Sequence, residues 1–182
     1  MKKIIIVLFI LISANTFSQN FENLSVGNNA SDFNLITIQG NEIQLSKINN
    51  HHPVVLVVLR GWVGYQCPVC SRQVGQLISE VERLKKHDAA VILVYPGPSD
   101  ELQKKANEFT EDFNLPENFY FTLDPDYSMI NKYGLRWDAP KETAYPSTFV
   151  IDKSGKIVFS KISKTHGGRA KIDEILEVLG EL

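Results

Sequence analysis

The sequence predicts an α/β protein in which one central mixed sheet is flanked by helices. Residues 54–59 form an unbroken aliphatic run, which is typical of a strand buried on both faces of a sheet. Residues 68–86, after a short loop, carry apolar side chains at spacings of three and four, which indicates an amphipathic helix. Because strands and helices alternate along the chain without a linker, we expect one domain over residues 20–182.

The remaining elements are predicted from local patterns and turn residues. Two short strands at 32–36 and 42–45 form an N-terminal β-hairpin extension, and a second buried strand spans 90–95. Ser99 is a suitable N-cap for a helix over 101–113. The last third of the chain is predicted as a strand at 119–123, helical turns ending near Gly134, a hairpin of strands at 149–151 and 156–160, and a helix over 169–179.

Length and composition are those of an ordinary globular domain. The chain has 182 residues, of which 43% are hydrophobic and 22% charged, and its formal net charge is −2. A basic face for phosphate contacts is therefore not expected, and nucleic acid is excluded as a partner. The sequence contains no glycine-rich dinucleotide motif and no flavin motif, so we expect no bound redox cofactor.

The first residues have the pattern of a secretory signal peptide. Lys2 and Lys3 precede an apolar run at 4–12, and small and polar residues follow at 13–18. The apolar run is too short to span a bilayer, which takes about 20 residues. We therefore expect residues 1–19 to be removed and the mature protein to be periplasmic or extracellular, without stable insertion in the membrane. A buried N-terminal strand or an uncleaved anchor is the alternative interpretation.

The chain has two cysteines, Cys67 and Cys70, between the buried strand and the helix that follows it. A disulfide across so short a loop constrains the unfolded chain by only about 2 kcal/mol, so the pair suits exchange chemistry better than structural stabilisation. Pro68 fits the first helical position, which places Cys67 at the positive end of the helix dipole, where a thiolate is stabilised. We therefore expect Cys67 to be the nucleophile and Cys70, one helical turn later, to be the resolving thiol.

Several segments of the chain resemble one family of redox proteins. The motif Cys67-Pro68-Val69-Cys70, between a strand and a helix, resembles the active site of thioredoxins. Residues 145–157 resemble the cis-proline segment of exported thioredoxin-like proteins. Residues 32–45 and 124–134 resemble the redoxin and peroxiredoxin group, also called AhpC/TSA, and residues 60–73 resemble its peroxiredoxin-like members with a Cys-Pro-x-Cys motif. The resemblance implies a thioredoxin-like fold and a thiol oxidoreductase activity.

The resemblance also implies roles for residues around the cysteines. Pro146 is expected to be a cis-proline facing them, which leaves the backbone of Tyr145 open to pair with an extended substrate. An ordinary trans proline at the start of a strand is the alternative interpretation. The aromatic residues before the motif, Trp62 and Tyr65, are equally consistent with lining a substrate groove and with shielding the core. The candidate supporting residues, as cations beside the thiolate or as aromatic walls, are Arg60, Arg169, Trp62 and Tyr65.

Differences from the peroxiredoxin pattern bear on which reaction the cysteine pair performs. If Cys70 were the peroxidatic cysteine, Cys67 would stand where those enzymes have Thr, and Val63 where they have Pro. Pro146 stands where they have an activating Arg. The sequence therefore favours exchange between dithiols and protein disulfides, with electrons from an external thiol donor. Thiol-dependent peroxide reduction, an antioxidant activity, is the first alternative, either as a slower reaction of the same pair or as a dedicated peroxidase.

A copper-binding chaperone is the alternative of another class. Copper-delivery proteins of the thioredoxin fold use a cysteine pair and a late histidine, and Cu(I) favours such soft ligands. The ligands here would be Cys67, Cys70 and His166, although the cysteine spacing is one residue shorter than in those proteins. A structural zinc site is disfavoured because no histidine has the spacing of a partner ligand.

Overall fold

The computed structural model of the chain describes residues 21–182, and its framework is a seven-stranded sheet. The predicted signal peptide, residues 1–19, lies outside the described residues. The strands are, in chain order, β1 (Asn34–Thr37), β2 (Glu42–Gln44), β3 (Val54–Val58), β4 (Ala90–Gly97), β5 (Phe119–Pro125), β6 (Ser147–Ile151) and β7 (Ile157–Ile162).

The sheet is mixed, as predicted, and its strand order is β2-β1-β5-β4-β3-β6-β7. The three central strands β3, β4 and β5 are parallel, and all other neighbouring pairs are antiparallel. The β1–β2 hairpin pairs with β5 at one side of this parallel core, which confirms the predicted N-terminal extension. The architecture is therefore the thioredoxin-like one that the sequence predicts.

Helices cover both faces of the sheet. Within residues 21–182, no helix has both the length and the apolar character that a bilayer crossing needs. The described helices are α1 (Leu45–Asn49), α2 (Pro68–Ser79), α3 (Val81–Lys86), α4 (Ser99–Thr110), α5 (Ser128–Lys132) and α6 (Ile172–Leu179), with a 3₁₀ turn at Glu22–Leu24.

Helix α4 begins and ends earlier than predicted. Its N-cap is Pro98 rather than Ser99, and it ends at Thr110 rather than at residue 113.

Three other helices also differ from the prediction. The helix predicted over 68–86 breaks at Glu80, where the backbone (φ −108°, ψ 18°) leaves the helical region, although the apolar spacing continues across the break. Leu45 begins the single turn of α1 instead of ending a strand. The last helix begins at Ile172 rather than at Arg169, because Arg169 reaches back toward the cysteines.

The two faces of the sheet bury separate cores, and β3 contributes to both. Val55 and Val57 pack on the side of α2, α4 and α6, whereas Val54 and Leu56 pack on the side of α1 and α5. All five residues of β3 are fully buried, as the aliphatic run predicts. This central strand fixes the position of the loop that leads from its carboxyl end to α2.

Candidate active site

Cys67 is the N-cap residue of α2, and Cys70 lies in the first turn of that helix. The Cys70 backbone N–H donates to Cys67 Sγ at 3.4 Å, so the sulfur takes the place that a serine or aspartate oxygen takes in other N-caps. Pro68 occupies the first helical position, where no N–H is needed. Both thiols are free and buried, with 4% of Cys67 and 1% of Cys70 exposed.

The two sulfurs have opposite electrostatic environments. Hydrogen bonding from the Cys70 thiol lowers the pKa of Cys67 to about 5 against the effect of burial, and the Cys70 N–H and the charges of Arg169 and Arg60 assist. Burial, together with the neighbouring Cys67, raises the pKa of Cys70 well above its usual value. At neutral pH the pair therefore holds a thiolate on Cys67 and a neutral thiol on Cys70. This is the arrangement expected of a nucleophile and a resolving thiol.

Arg169 lies across both sulfurs. Its Nη2 donates to Cys70 Sγ at 3.2 Å and is 3.9 Å from Cys67 Sγ. Its Nη1 donates to Gln73 Oε1 at 2.7 Å, and its Nε donates to the His166 carbonyl at 3.2 Å. The structure thus brings this predicted cation to the cysteines from a loop that is about a hundred residues away in the chain.

Gln73 holds Arg169 in place and was missed by the sequence reasoning. The side chain is buried, and its Nε2 donates to Thr148 Oγ1 at 3.3 Å while its Oε1 accepts from Arg169. A signal was present in the sequence, because a residue three positions after Cys70 on a helix lies on nearly the same face.

Arg60 contacts the cysteine pair with its backbone N–H rather than with its guanidinium. Its backbone N–H donates to Cys70 Sγ at 3.4 Å. The side chain is 1% exposed, and its Nε donates to Glu142 Oε2 at 2.6 Å while its Nη atoms donate to the Tyr65 hydroxyl and the Lys141 carbonyl. The predicted cation therefore anchors the loop around residue 142 beside the site.

Glu142 joins this buried arginine to His166, and no sequence pattern indicated this role. Glu142 Oε1 lies 2.8 Å from His166 Nε2, and the carboxylate is 11% exposed. Burial raises the pKa of Glu142, but hydrogen bonds from Arg60 and His166 outweigh it, so the pKa is lowered overall. The carboxylate is therefore ionised at neutral pH and fixes both partners.

The predicted Cu(I) ligand set is not assembled. His166 pairs with Glu142 and packs edge-to-face against Trp137, with ring centroids 5.6 Å apart. Among the residues that the structure describes, no group of three or more His, Cys, Asp and Glu side chains is placed to hold a metal ion. The structure therefore does not bring His166 to Cys67 and Cys70.

The prediction of a cis-proline at Pro146 is wrong, because no peptide bond between residues 21 and 182 is cis. Ala144, two residues before Pro146, forms an isolated antiparallel β-bridge with Arg136. The chain is therefore extended before Pro146, and a trans bond keeps it extended into β6. The Tyr145 N–H donates to the Leu135 carbonyl at 2.9 Å, and the Tyr145 carbonyl accepts from the Ser147 hydroxyl at 2.8 Å. The backbone of Tyr145 is therefore satisfied within the chain rather than left open.

The aromatic residues before the motif pack against basic side chains. Trp62 is partly buried against the core, and the Lys105 Nζ lies 4.5 Å from the centroid of a Trp62 ring. Tyr65 is 43% exposed and lies over the Arg60 guanidinium at 4.8 Å. Trp62 thus shields the core, whereas Tyr65 is the exposed aromatic side chain next to the site.

Gly61 allows the loop before the motif to pass close to β4. Its φ is +68°, and a Cβ at this position would lie 1.9 Å from the Pro96 carbonyl oxygen. The next residue, Trp62, donates its N–H to the same oxygen at 3.0 Å. Only glycine permits this approach, which sets the path of the chain from β3 to Cys67.

Comparison with known proteins agrees with this geometry. The model of the AhpC/TSA family matches residues 26–160. The thiol-disulfide oxidoreductase ResA of Geobacillus thermodenitrificans is 27% identical over 161 residues, which cover 86% of this chain and 83% of that protein. ResA of Bacillus subtilis is 25% identical over 137 residues, which cover 75% of this chain and 67% of that protein.

Solved structures share the fold at lower identity. A peroxiredoxin-like protein from Aquifex aeolicus superposes with a TM-score of 0.67 at 22% identity, covering 87% of each chain. Because the family match spans most of the chain and includes both cysteines and β3 to β6, the chain belongs to the AhpC/TSA family.

Proposed function

We propose that the protein is a thiol–disulfide oxidoreductase that cycles between a Cys67–Cys70 dithiol and a disulfide. The observation that carries this proposal is the contrast between the two sulfurs, with a lowered pKa at Cys67 and a raised pKa at Cys70. The relatives named ResA carry the same activity in their name, and they match most of this chain.

The reaction begins with the Cys67 thiolate. It attacks a sulfur of the substrate disulfide, forms a mixed disulfide and releases the first thiol. The attack removes the negative charge beside Cys70, and that charge is one of the causes that raise the pKa of Cys70. Cys70 then ionises more readily, and Arg169 at 3.2 Å and the Arg60 N–H at 3.4 Å stabilise its thiolate.

The second step releases the product. The Cys70 thiolate attacks Cys67 Sγ, closes the protein disulfide and releases the second substrate thiol. An external thiol donor must then reduce the protein disulfide before the next turnover. Protein disulfides or dithiols are the proposed substrates, and the signal-peptide pattern at residues 1–19 supports a periplasmic or extracellular location.

Single-cysteine variants test the proposal. Reduced Cys70→Ser protein, mixed with a disulfide-bonded peptide, should accumulate a mixed disulfide through Cys67 that intact-mass spectrometry detects. Cys67→Ser should not form a mixed disulfide at a comparable rate, and neither variant should catalyse repeated reduction of the disulfide. Rapid mixed-disulfide formation through Cys70 in Cys67→Ser would contradict the assigned roles.

Thiol-dependent peroxide reduction is a second candidate, and the position of Arg169 favours it. The sequence lacks the arginine that peroxiredoxins place at residue 146, but the Arg169 guanidinium donates to Cys70 Sγ and lies near Cys67 Sγ. Stopped-flow mixing of the reduced protein with hydrogen peroxide tests it. A rate constant on the order of 10⁴ M⁻¹s⁻¹ or more supports a peroxidase, and a rate no faster than that of a free thiol rejects it.

A further inference from the structure

A groove of about 410 Å³ opens beside the cysteine motif, between α2 and the segment that enters α6. Val69, which stands between the two cysteines, is part of its wall, so the groove extends to the motif itself. Arg169 and Gln73 also line it, and Arg169 is the residue whose guanidinium contacts the sulfurs. This volume is in the range of small-molecule sites.

Positive charge prevails in the groove, because its lining has three cations and one carboxylate. Arg72 and Lys171 are exposed, and neither side chain forms an ion pair within 4 Å with any residue from Phe21 onward. The Glu174 carboxylate, outside the lining, attracts Lys171 and is itself paired with Lys161 at 2.8 Å. Arg169 contacts Gln73, a carbonyl and the sulfurs but no carboxylate of the described chain.

One carboxylate lies in the lining of the groove, and its ion-pair partner lies outside the groove. Asp173 Oδ1 is 3.7 Å from Arg83 Nη1, which belongs to α3 rather than to the groove. Three cations therefore share the groove with a single acid that already has a partner, in a protein whose formal net charge is −2. Such a local excess of charge attracts anions and repels cations.

We propose that the site accepts small anionic disulfides in addition to protein disulfides: this groove binds the carboxylates of such a disulfide and presents its sulfur–sulfur bond to Cys67. The inference rests on the proposed function, since the same cysteine pair performs the reaction. Arg72 and Lys171 are binding residues in this account: they attract and orient the substrate, and they take no part in bond making.

The electrons and protons balance as follows. The Cys67 thiolate displaces one substrate thiolate, which takes up a proton from solvent. Cys70 loses its proton to solvent and displaces the second substrate thiolate, which is protonated in turn. The protein loses two electrons and closes the Cys67–Cys70 bond, and one disulfide becomes two thiols.

The test compares three symmetric disulfides of different charge. Glutathione disulfide is anionic, 2-hydroxyethyl disulfide is neutral and cystamine is cationic at neutral pH. The second-order rate of oxidation of the reduced protein is measured with each disulfide, from the change in Trp fluorescence. The variants are Arg72→Gln with Lys171→Gln together, and Lys47→Gln as a matched control that removes an exposed cation on α1, on the opposite face of the sheet.

We expect the double variant to lower the ratio of the glutathione-disulfide rate to the cystamine rate about tenfold at low ionic strength, because two cations act on substrates of opposite charge. The effect should shrink toward about twofold at high salt as the charges are screened. Lys47→Gln should leave the ratio unchanged. Because each ratio is compared with that of the unmodified protein, the intrinsic reactivity of each disulfide cancels.

The outcomes separate this inference from the proposed function. If the double variant keeps the ratio of the unmodified protein, the groove does not select anionic disulfides, while exchange with all three still supports the function. Lys47→Gln removes one cation and the double variant removes two. If Lys47→Gln therefore lowers the logarithm of the ratio by half as much as the double variant does, the effect is that of net charge, and the groove assignment fails. If none of the three disulfides oxidises the unmodified protein, this inference fails, and the reaction with the disulfide-bonded peptide decides the proposed function separately.

Discussion

Replacing Arg169 with Gln should raise the pKa of Cys67 and slow its reactions in mildly acidic solution. The guanidinium Nη2 lies 3.9 Å from Cys67 Sγ, where two unit charges attract each other by about 1–2 kcal/mol in a largely hydrated medium. Because Arg169 is only partly buried, solvent screening keeps the attraction between the two charges in this range, below that of a fully buried pair. The thiolate fraction at pH 5, close to the pKa of Cys67, should therefore fall about three- to fifteenfold.

The assay is the rate of alkylation of the reduced protein by iodoacetamide as a function of pH. The Arg169→Gln rate should fall about three- to fifteenfold at pH 5 and approach the rate of the unmodified protein above about pH 8, where Cys67 is ionised in both proteins. Arg169→Lys, which keeps the charge, should recover part of the loss, and Arg83→Gln, on the exposed side of α3, should show none. Identical pH profiles for Arg169→Gln and the unmodified protein would refute the assigned electrostatic role.

Three further predictions concern stability. Gly61→Ala should lower the free energy of unfolding by more than about 2 kcal/mol, because φ is +68° and the new Cβ would meet the Pro96 carbonyl; an unchanged urea midpoint would contradict this. Glu142→Ala should cost about 2–4 kcal/mol, because it leaves the buried Arg60 guanidinium without its carboxylate; urea unfolding measures the loss, and a cost near zero would argue against a buried ion pair. The pKa of Cys67 is lower in the folded than in the unfolded chain, so the stability of the reduced protein relative to Cys67→Ser should rise with pH from about 5 to 9 and be lost as pH falls through about 5; a flat difference in that window would contradict the lowered pKa.

Patterns of burial made most of the fold predictable from sequence. The aliphatic run at 54–59 predicted a fully buried strand, and all of β3 is buried. Where the predicted helices and strands differ from the observed ones, the spacing of apolar residues contained too little information to place their ends. The break at Glu80 lies inside a continuous apolar pattern, and α1 is a single turn that the preceding strand pattern obscures. Such short elements depend on tertiary packing more than on propensity.

The candidate site was only partly predictable, because its electrostatics depend on contacts between distant segments. The cysteine pair and its helix N-terminus could be predicted from spacing alone. The Arg169 contact to Cys70 joins residues 99 apart in the chain, the Arg60–Glu142 pair joins residues 82 apart, and Glu142 and His166 are 24 residues apart. No local pattern predicts such pairings. The expected cis-proline was transferred from a resemblance, and the extended segment at 144–147 accommodates a trans bond instead.

Absorbance at 240 nm of the reduced protein, followed from pH 3 to pH 10, measures directly which cysteine is the thiolate. If Cys67 is the nucleophile, one thiolate should be lost as pH falls, with a midpoint near pH 5 caused by the environment of Cys67. This transition should be absent from Cys67→Ser and should persist in Cys70→Ser. A single transition at the ordinary thiol pKa of about 8.5, or a low transition that survives in Cys67→Ser, would contradict Cys67 as the nucleophile.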